Sequence, residues 1–267
     1  MVIHDLAFLH FPEHISKSWL LYYKRYTPKF LNKVSVIATV SDFSRKDIIL
    51  HYKLDESKIR VINNAARQAF RPLNDEEKTI IKEKYSEGRD YFLYTGSIHP
   101  RKNLLNVLKA FSVFKKKQKS NMKLLLVGRL AWKYKSFAES LKTYKYRQDV
   151  VMTGYLSEQE LVNIMGAAYG LVYVSLWEGF GVPVLEAMRA QVPVITSANS
   201  AMQEVADESA LFADPNDFND LADKMILLYK DENLRSSLIQ KGNVRESHYD
   251  WDSSAEKLWE CIRESVN

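Results

Sequence analysis

Apolar residues along this 267-residue chain fall into short runs separated by stretches of helical spacing. Tyr91-Phe-Leu-Tyr-Thr, Lys123-Leu-Leu-Leu-Val, Val150-Val-Met-Thr, Leu171-Val-Tyr-Val-Ser and Pro193-Val-Ile-Thr read as buried strands, and Leu211-Phe-Ala as a weaker one. Leu104, Val107, Leu108, Phe111 and Phe114 recur three and four apart, which predicts a helix from Asn103 to about Lys117. A tyrosine- and lysine-rich helix is expected to run on to about Arg147. Ser157 with Glu160 three residues later forms a capping box, and amphipathic helices are predicted at about 216–230 and 231–246. Strand alternating with helix over short loops predicts a parallel sheet covered by helices, a Rossmann-like α/β domain over residues 71–250. Such sheets bind ligands at the carboxyl ends of their strands, so chemistry is sought just after each strand.

Residues 1–70 read as part of a second α/β unit. Val2-Ile-His-Asp is a strand end, Ser16 to Lys33 an aromatic and basic helix, Val34 to Ser41 a strand, Ser44 to Tyr52 a helix and Ile59 to Asn63 a strand. Phe70-Arg-Pro-Leu-Asn reads as a linker, and residues 251–267 as a helix returning toward the N-terminal part. Composition adds exclusions. With 46% hydrophobic and 27% charged residues the chain is neither disordered nor a coiled-coil rod. No apolar run approaches the roughly 18 residues of a membrane span. The single cysteine excludes an internal disulfide framework and a cysteine-built metal site. With no leader pattern at its start, the chain is expected in the cytoplasm.

Charge is segregated. The net +5 conceals +13 over residues 99–147, where Glu139 is the one acid, and −12 over residues 148–267. The basic block implies an anionic partner or a solvated lysine-rich helix face; Lys115, Lys116, Lys117 and Lys119 suit the second reading. Arg101 and Lys102, after a strand and turn, do not. Placed at a helix start they oppose its dipole by ~0.3–1 kcal/mol, a conflict that a bound diphosphate relieves. Trp177-Glu-Gly-Phe-Gly-Val-Pro-Val-Leu-Glu186 follows a strand. Its glycines permit a tight turn, and Pro183 suits the first helical position. The free N–H groups near Phe180, Gly181 and Val182 then make an anion site, and Glu178 and Glu186 flank it with carboxylates suited to vicinal hydroxyls. An ordinary strand–turn–helix with two surface acids fits the same spacing. No G-x-G-x-x-G and no P-loop occurs. His4, His10 and His14 suggest a metal cluster, but Pro12 breaks their helical spacing, and no metal is assigned. The helix 16–33 interleaves Trp19, Leu20, Tyr22, Tyr23 and Tyr26 with five basic residues; it suits either an anionic membrane surface or a packed domain face. A nucleic-acid partner is rejected, because the second half is acidic and no recognition motif is present.

The ordered series His4-Asp5, Val40-Ser-Asp-Phe-Ser-Arg45, Ile59-Arg-Val-Ile-Asn-Asn64, Pro100-Arg-Lys-Asn103 and Glu178 to Glu186 resembles the retaining GT-B glycosyltransferases of family GT4, particularly bacterial O-antigen and capsule enzymes. Gly128-Arg129-Leu-Ala-Trp132 is similar to the mannosyltransferase-like branch. The resemblance implies two Rossmann-like domains across a cleft, the C-terminal one complete and the N-terminal one partial, its first strands absent. It implies a nucleotide-diphosphate-sugar donor held without metal or other cofactor, and a glycan or lipid-linked acceptor. Lys102, helped by Arg101, would hold the diphosphate. Glu178 would bind sugar hydroxyls, Phe180, Gly181 and Val182 would offer backbone N–H groups, and Glu186 would bind the ribose. Gly96, Tyr155 and Leu156 would border the donor, and His4 would face the sugar. Two departures stand out: Gly96-Ser97 where the family has Gly-Arg, and Asn64-Ala65 where it has Asn-Gly. The implied place is the cytoplasm or the inner face of the cytoplasmic membrane. The alternative is a non-catalytic or partner-dependent nucleotide-sugar-binding subunit.

Overall fold

The computed structural model describes residues 1–266. Eight strands and twelve α-helices follow in chain order. They are α1 (Ala7–His10), α2 (Lys17–Lys33), β1 (Ile37–Thr39), α3 (Asp42–Tyr52), β2 (Ile59–Val61), α4 (Asp75–Ser86), β3 (Tyr91–Thr95), α5 (Leu104–Gln118), β4 (Lys123–Val127) and α6 (Lys135–Lys142). After these come β5 (Val150–Gly154), α7 (Glu158–Gly166), β6 (Gly170–Tyr173), α8 (Val182–Arg189), β7 (Val194–Ser197), α9 (Ala201–Ala206), β8 (Ala210–Ala213), α10 (Phe218–Lys230), α11 (Glu232–Glu246) and α12 (Trp251–Val266).

Six strands form one parallel sheet in the order β5-β4-β3-β6-β7-β8. β3 and β4 are buried at every position, as strands covered on both faces must be. The order carries the functional consequence. From β3 the chain winds outward through β4 to β5, then crosses back to lay β6 on the other side of β3. The winding therefore reverses between β3 and β6, which opens a crevice at their carboxyl ends. The segments after these two strands are Gly96–Lys102 and Val174–Gly181.

The N-terminal unit is small. β1 and β2 pair in parallel, Val2 bridges to Ala38, and a separate core gathers Ile3, Leu6, Leu31, Ile37, Ile48 and Ile59. The strand read over Val34–Ser41 shrinks to three residues, because only Ile37–Thr39 find a ladder partner. The helix read to Arg147 stops at Lys142, and a short 3-10 turn covers Arg147–Asp149. α12 lies along the N-terminal unit: Ser254 Oγ donates to Asn63 O at 2.6 Å and Trp251 Nε1 to Ala66 O at 3.2 Å.

The two units are stitched at the glycine elbow. Ser41 Oγ donates to the Gly179 carbonyl at 2.7 Å, and Ser44 Oγ lies 3.2 Å from the same oxygen and 3.1 Å from His4 O. On the other side, the Glu204 carboxylate of α9 accepts the Asp42 and Phe43 N–H groups at 2.9 and 2.7 Å, capping α3 with charge from the large domain. Gly179 permits this approach: a Cβ there would stand 2.3 Å from His4 O and 2.8 Å from the Asp5 Cβ. Gly179→Ala should therefore cost about 1–3 kcal/mol through overpacking against backbone. Urea unfolding checks this; a midpoint unchanged from wild type would show that His4 and Asp5 do not pack on the elbow.

Candidate functional site

The crevice between β3 and β6 holds a buried ion triad. Pro100–Lys102 form a 3-10 turn after β3, and Asn103, at φ 62°, separates it from α5. Arg101 and Lys102 thus stand before the helix, not in its first turn, and the expected clash with the α5 dipole is softened. Asn103 fixes the turn by donating to Val174 O at 3.1 Å and Pro215 O at 2.7 Å. Lys102 Nζ donates to Glu178 Oε1 and, at 2.9 Å, to the Tyr173 hydroxyl. Arg101 reaches Glu178 Oε2 at 3.1 Å and donates to the Trp177 carbonyl. The Glu178 side chain is 10% exposed, those of Lys102 and Arg101 12% and 21%, so the triad is screened little by water.

Burial alone would raise the Glu178 pKa. The Lys102 ammonium and Arg101 guanidinium outweigh it and hold the carboxyl at about 2. Burial also lowers the Arg101 pKa, but Glu178 and Asp5 reverse that and leave it raised. Tyr173 is pushed well up, first by burial and then by Glu178, so its hydroxyl stays protonated beside the triad.

The predicted site residues are thereby divided. Arg101, Lys102 and Glu178 meet. His4 lines a cavity of about 440 Å³ with Asp5, His14, His99 and Arg101. Gly96, Tyr155 and Leu156 line a second cavity of about 370 Å³ with Ser97, Gly128 and Arg129. Phe180, Gly181 and Val182 form the elbow. Gly181 takes φ 107°, Val182 opens α8, and the Phe180 ring is buried edge-on against Tyr249 at 5.6 Å.

Glu186 departs from its expected place. It lies past the first turn of α8, not within it. Instead Arg67 Nε donates to its Oε1 at 2.7 Å, and Arg67 also pairs with Glu158 at 3.0 Å. Burial raises the Glu186 pKa, and Arg67 offsets this in part. His4, His10 and His14, set aside as a cluster because Pro12 breaks their spacing, also have different neighbours. His10 faces Asp47 and His51, while His14 packs edge-on to His99 at 5.7 Å.

Sequence reasoning gave no role to Arg67 or Tyr173, and none to Asp5, His99 and Arg129 although they stood in segments it singled out. Arg129 was legible. It follows β4 after one intervening residue, Gly128, and its carbonyl accepts from Ile98 N at 2.9 Å, which laces the two strand-end loops together. It stands on the same wall as Ser97, where the arginine of the family pattern is missing. Arg67 gave no signal, because a lone arginine after β2 becomes a partner of Glu186 only through the fold.

A doubly wound parallel sheet with paired cations and a carboxylate at its switch point defines a domain of the Rossmann-like class, whose ligands bind at that point. Residues 75–245 match the family of glycosyl transferases group 1. The chain belongs to that family, and it is a glycosyltransferase by class. It is 27% identical over 265 residues to the O-antigen chain mannosyltransferase B of Escherichia coli, covering 99% of this chain and 68% of that protein. It is also 27% identical over 270 residues to the O-antigen chain mannosyltransferase RfbU of Salmonella typhimurium, covering 99% and 69%. The crystal structure of Anabaena Alr3699/HepE in complex with UDP-glucose superposes with a TM-score of 0.84 at 16% identity, over 98% of this chain and 71% of that one. The fold is therefore the GT-B type.

The triad makes a pH prediction. Because the folded-state pKa of Glu178 lies below its ordinary value of 4.5, its contribution is complete above that pH and is lost as pH falls toward about 2. The size is of order 3 kcal/mol. Glu186, with its pKa raised, works weakly in the opposite sense. Chemical denaturation from pH 6 to 2 should show wild-type stability falling more steeply than that of Glu178→Gln; parallel curves would mean that Glu178 is not held by its cations.

Proposed function

We propose that this protein transfers a hexose, with mannose the first candidate, from a nucleoside diphosphate sugar to a glycan or lipid-linked acceptor with retention of configuration, in surface polysaccharide synthesis. The observation that carries the reading is the Lys102–Arg101–Glu178 triad in the β3/β6 crevice. Two cations beside a carboxylate have the composition needed for a diphosphate attached to a polyhydroxyl sugar. The relatives named as O-antigen mannosyltransferases favour mannose and that acceptor class.

In this reading Lys102 and Arg101 exchange part of their contact with Glu178 for the diphosphate oxygens. Glu178 then accepts hydrogen bonds from sugar hydroxyls. The first N–H groups of α8, with those of Phe180 and Gly181, face the sugar and phosphate. Glu186 receives the ribose diol while sharing Arg67. Gly96, Leu156 and the largely exposed Tyr155 border the base, and Arg129 supplies the charge that Ser97 lacks. The acceptor enters by the cavity lined by His4, His14 and His99. Burial lowers the pKa of both His14 and His99, so neither adds a second positive charge at neutral pH.

The chemistry follows from charge. The acceptor hydroxyl attacks the anomeric carbon on the face the diphosphate leaves. The bond from that carbon to the phosphate oxygen breaks, and the hydroxyl proton passes to the departing phosphate. Negative charge grows on the leaving group, where Lys102 and Arg101 stabilise it without a metal. Glycosyl transfer should be assayed with GDP-, UDP- and ADP-hexoses. Lys102→Ala and Glu178→Gln should each lose at least ~100-fold in kcat/KM, the scale of one lost transition-state contact. Full activity in both would refute the site. Donor binding without turnover in wild type would favour the binding-subunit alternative.

The helix α2 adds a place for the reaction. It exposes Trp19, Leu21, Tyr22, Tyr26 and Phe30 among Lys17, Lys24, Arg25, Lys29 and Lys33, with no acid in its 17 residues. No helix among the described residues is long and apolar enough to cross a membrane. This face suits peripheral contact with an anionic bilayer. Vesicles with phosphatidylglycerol should retain the protein at low salt, and Lys24→Glu with Lys29→Glu should release it. Equal retention of wild type and the double variant would dismiss the contact.

A further inference from the structure

Outside the crevice, three metal-capable side chains converge at the junction of α1 and α3. His10 closes α1, and Asp47 and His51 stand four apart on α3. His10 Nε2 lies 3.0 Å from both Asp47 carboxylate oxygens, and His51 Nδ1 lies 3.0 Å from Oδ1 and 3.0 Å from the Asp47 backbone carbonyl, a contact that an ion would displace. The two imidazoles meet edge-on at 5.0 Å, and the three donor atoms all fall within 4.8 Å of one another. We propose that His10, Asp47 and His51 bind a divalent transition-metal ion of the zinc class, which clamps α1 to α3.

Three arguments carry this. The donor set, two imidazoles and one carboxylate, is the kind that selects zinc, cobalt and nickel over magnesium and calcium. Ligands about 2.0–2.1 Å from a tetrahedral ion stand about 3.3 Å from one another; each imidazole nitrogen lies 3.0 Å from the Asp47 carboxylate, and the two nitrogens stand within 4.8 Å of each other, so a small movement of one ring completes the set. The ligands also come from two elements that pack loosely, since α1 has four residues and buries none of them. His10 is held in place from behind, where Trp177 stacks on its ring at 3.8 Å and Phe43 packs on Trp177 at 4.8 Å. Trp177 precedes Glu178 and its carbonyl accepts from Arg101. An ion at His10 would therefore stiffen the segment that carries the sugar-binding carboxylate without touching the donor itself.

The site does not depend on the glycosyltransferase reading, and its test needs no substrate. The full chain is stripped with a chelator, dialysed, and titrated with zinc by calorimetry and with cobalt by visible absorption. One ion per chain, with cobalt bands of low-symmetry coordination, is expected. His51→Gln, at a partly exposed position, and His10→Gln should each weaken binding at least ~100-fold, the upper end of what even outer-shell partners cost. Circular dichroism checks that both variants fold. Zinc should also raise the unfolding temperature of wild type but not of His51→Gln. Absence of saturable binding, or equal affinity in wild type and both variants, would overturn the proposal and leave the cluster as hydrogen bonds to Asp47.

Discussion

The structure turns on a buried carboxylate that two cations keep ionised. Glu178 comes from the loop after β6, and Lys102 and Arg101 from the loop after β3. Neither partner is tolerable alone in so dry a place, since removing one member of such a group leaves an uncompensated charge costing several kcal/mol. The triad therefore fixes two loops against each other at the point where the sheet reverses its winding. In the proposed function its composition also serves the reaction. Cations already desolvated and aimed at one point need little reorganisation when a second anion arrives.

Around this point the chain spends its glycines and serines on close approach. Gly179 admits the His4–Asp5 backbone, Ser41 and Ser44 grip the Gly179 carbonyl, and Glu204 caps α3 from across the cleft. The N-terminal unit is thus placed by the same loop that carries Glu178. His4 reaches the wall of a cavity that Arg101 also lines because this seam brings the two units together. Catalytic-side geometry and domain packing share their parts, so substitutions in Ser41 or Glu204 are expected to be felt at the site as well as in stability.

Most of the fold was legible because its strands are continuous apolar runs and its helices carry caps. The alternation around Tyr91, Lys123 and Leu171 and the Ser157–Glu160 box led directly to the parallel sheet. The Glu178 loop and the Arg101–Lys102 pair were legible by position, because both lie in loops after buried strands, where such sheets bind ligands, although an ordinary turn with surface charges fitted the same spacing. Pairings were not legible. Spacing alone put Glu186 in the first turn of its helix, but it lies beyond that turn and is held by Arg67, a residue more than a hundred positions away in the chain. The same holds for His10: Pro12 broke its helical spacing with His4 and His14, and nothing in the local pattern pointed to Asp47 and His51, which the fold brings to it. Local pattern specifies elements; which side chains then meet is set by the crossing of elements, which no local pattern encodes.

The central claim is that Lys102 and Arg101 trade contact with Glu178 for the diphosphate of a donor. Calorimetric binding of a free nucleoside diphosphate to wild type, Lys102→Ala and Glu178→Gln tests it most directly. The account predicts about tenfold or greater weakening in Lys102→Ala, the worth of a charge-assisted hydrogen bond, with no weakening in Glu178→Gln, where the competing carboxylate is gone. Nucleotide affinity untouched by loss of the lysine, or lost with the glutamate alone, would contradict it.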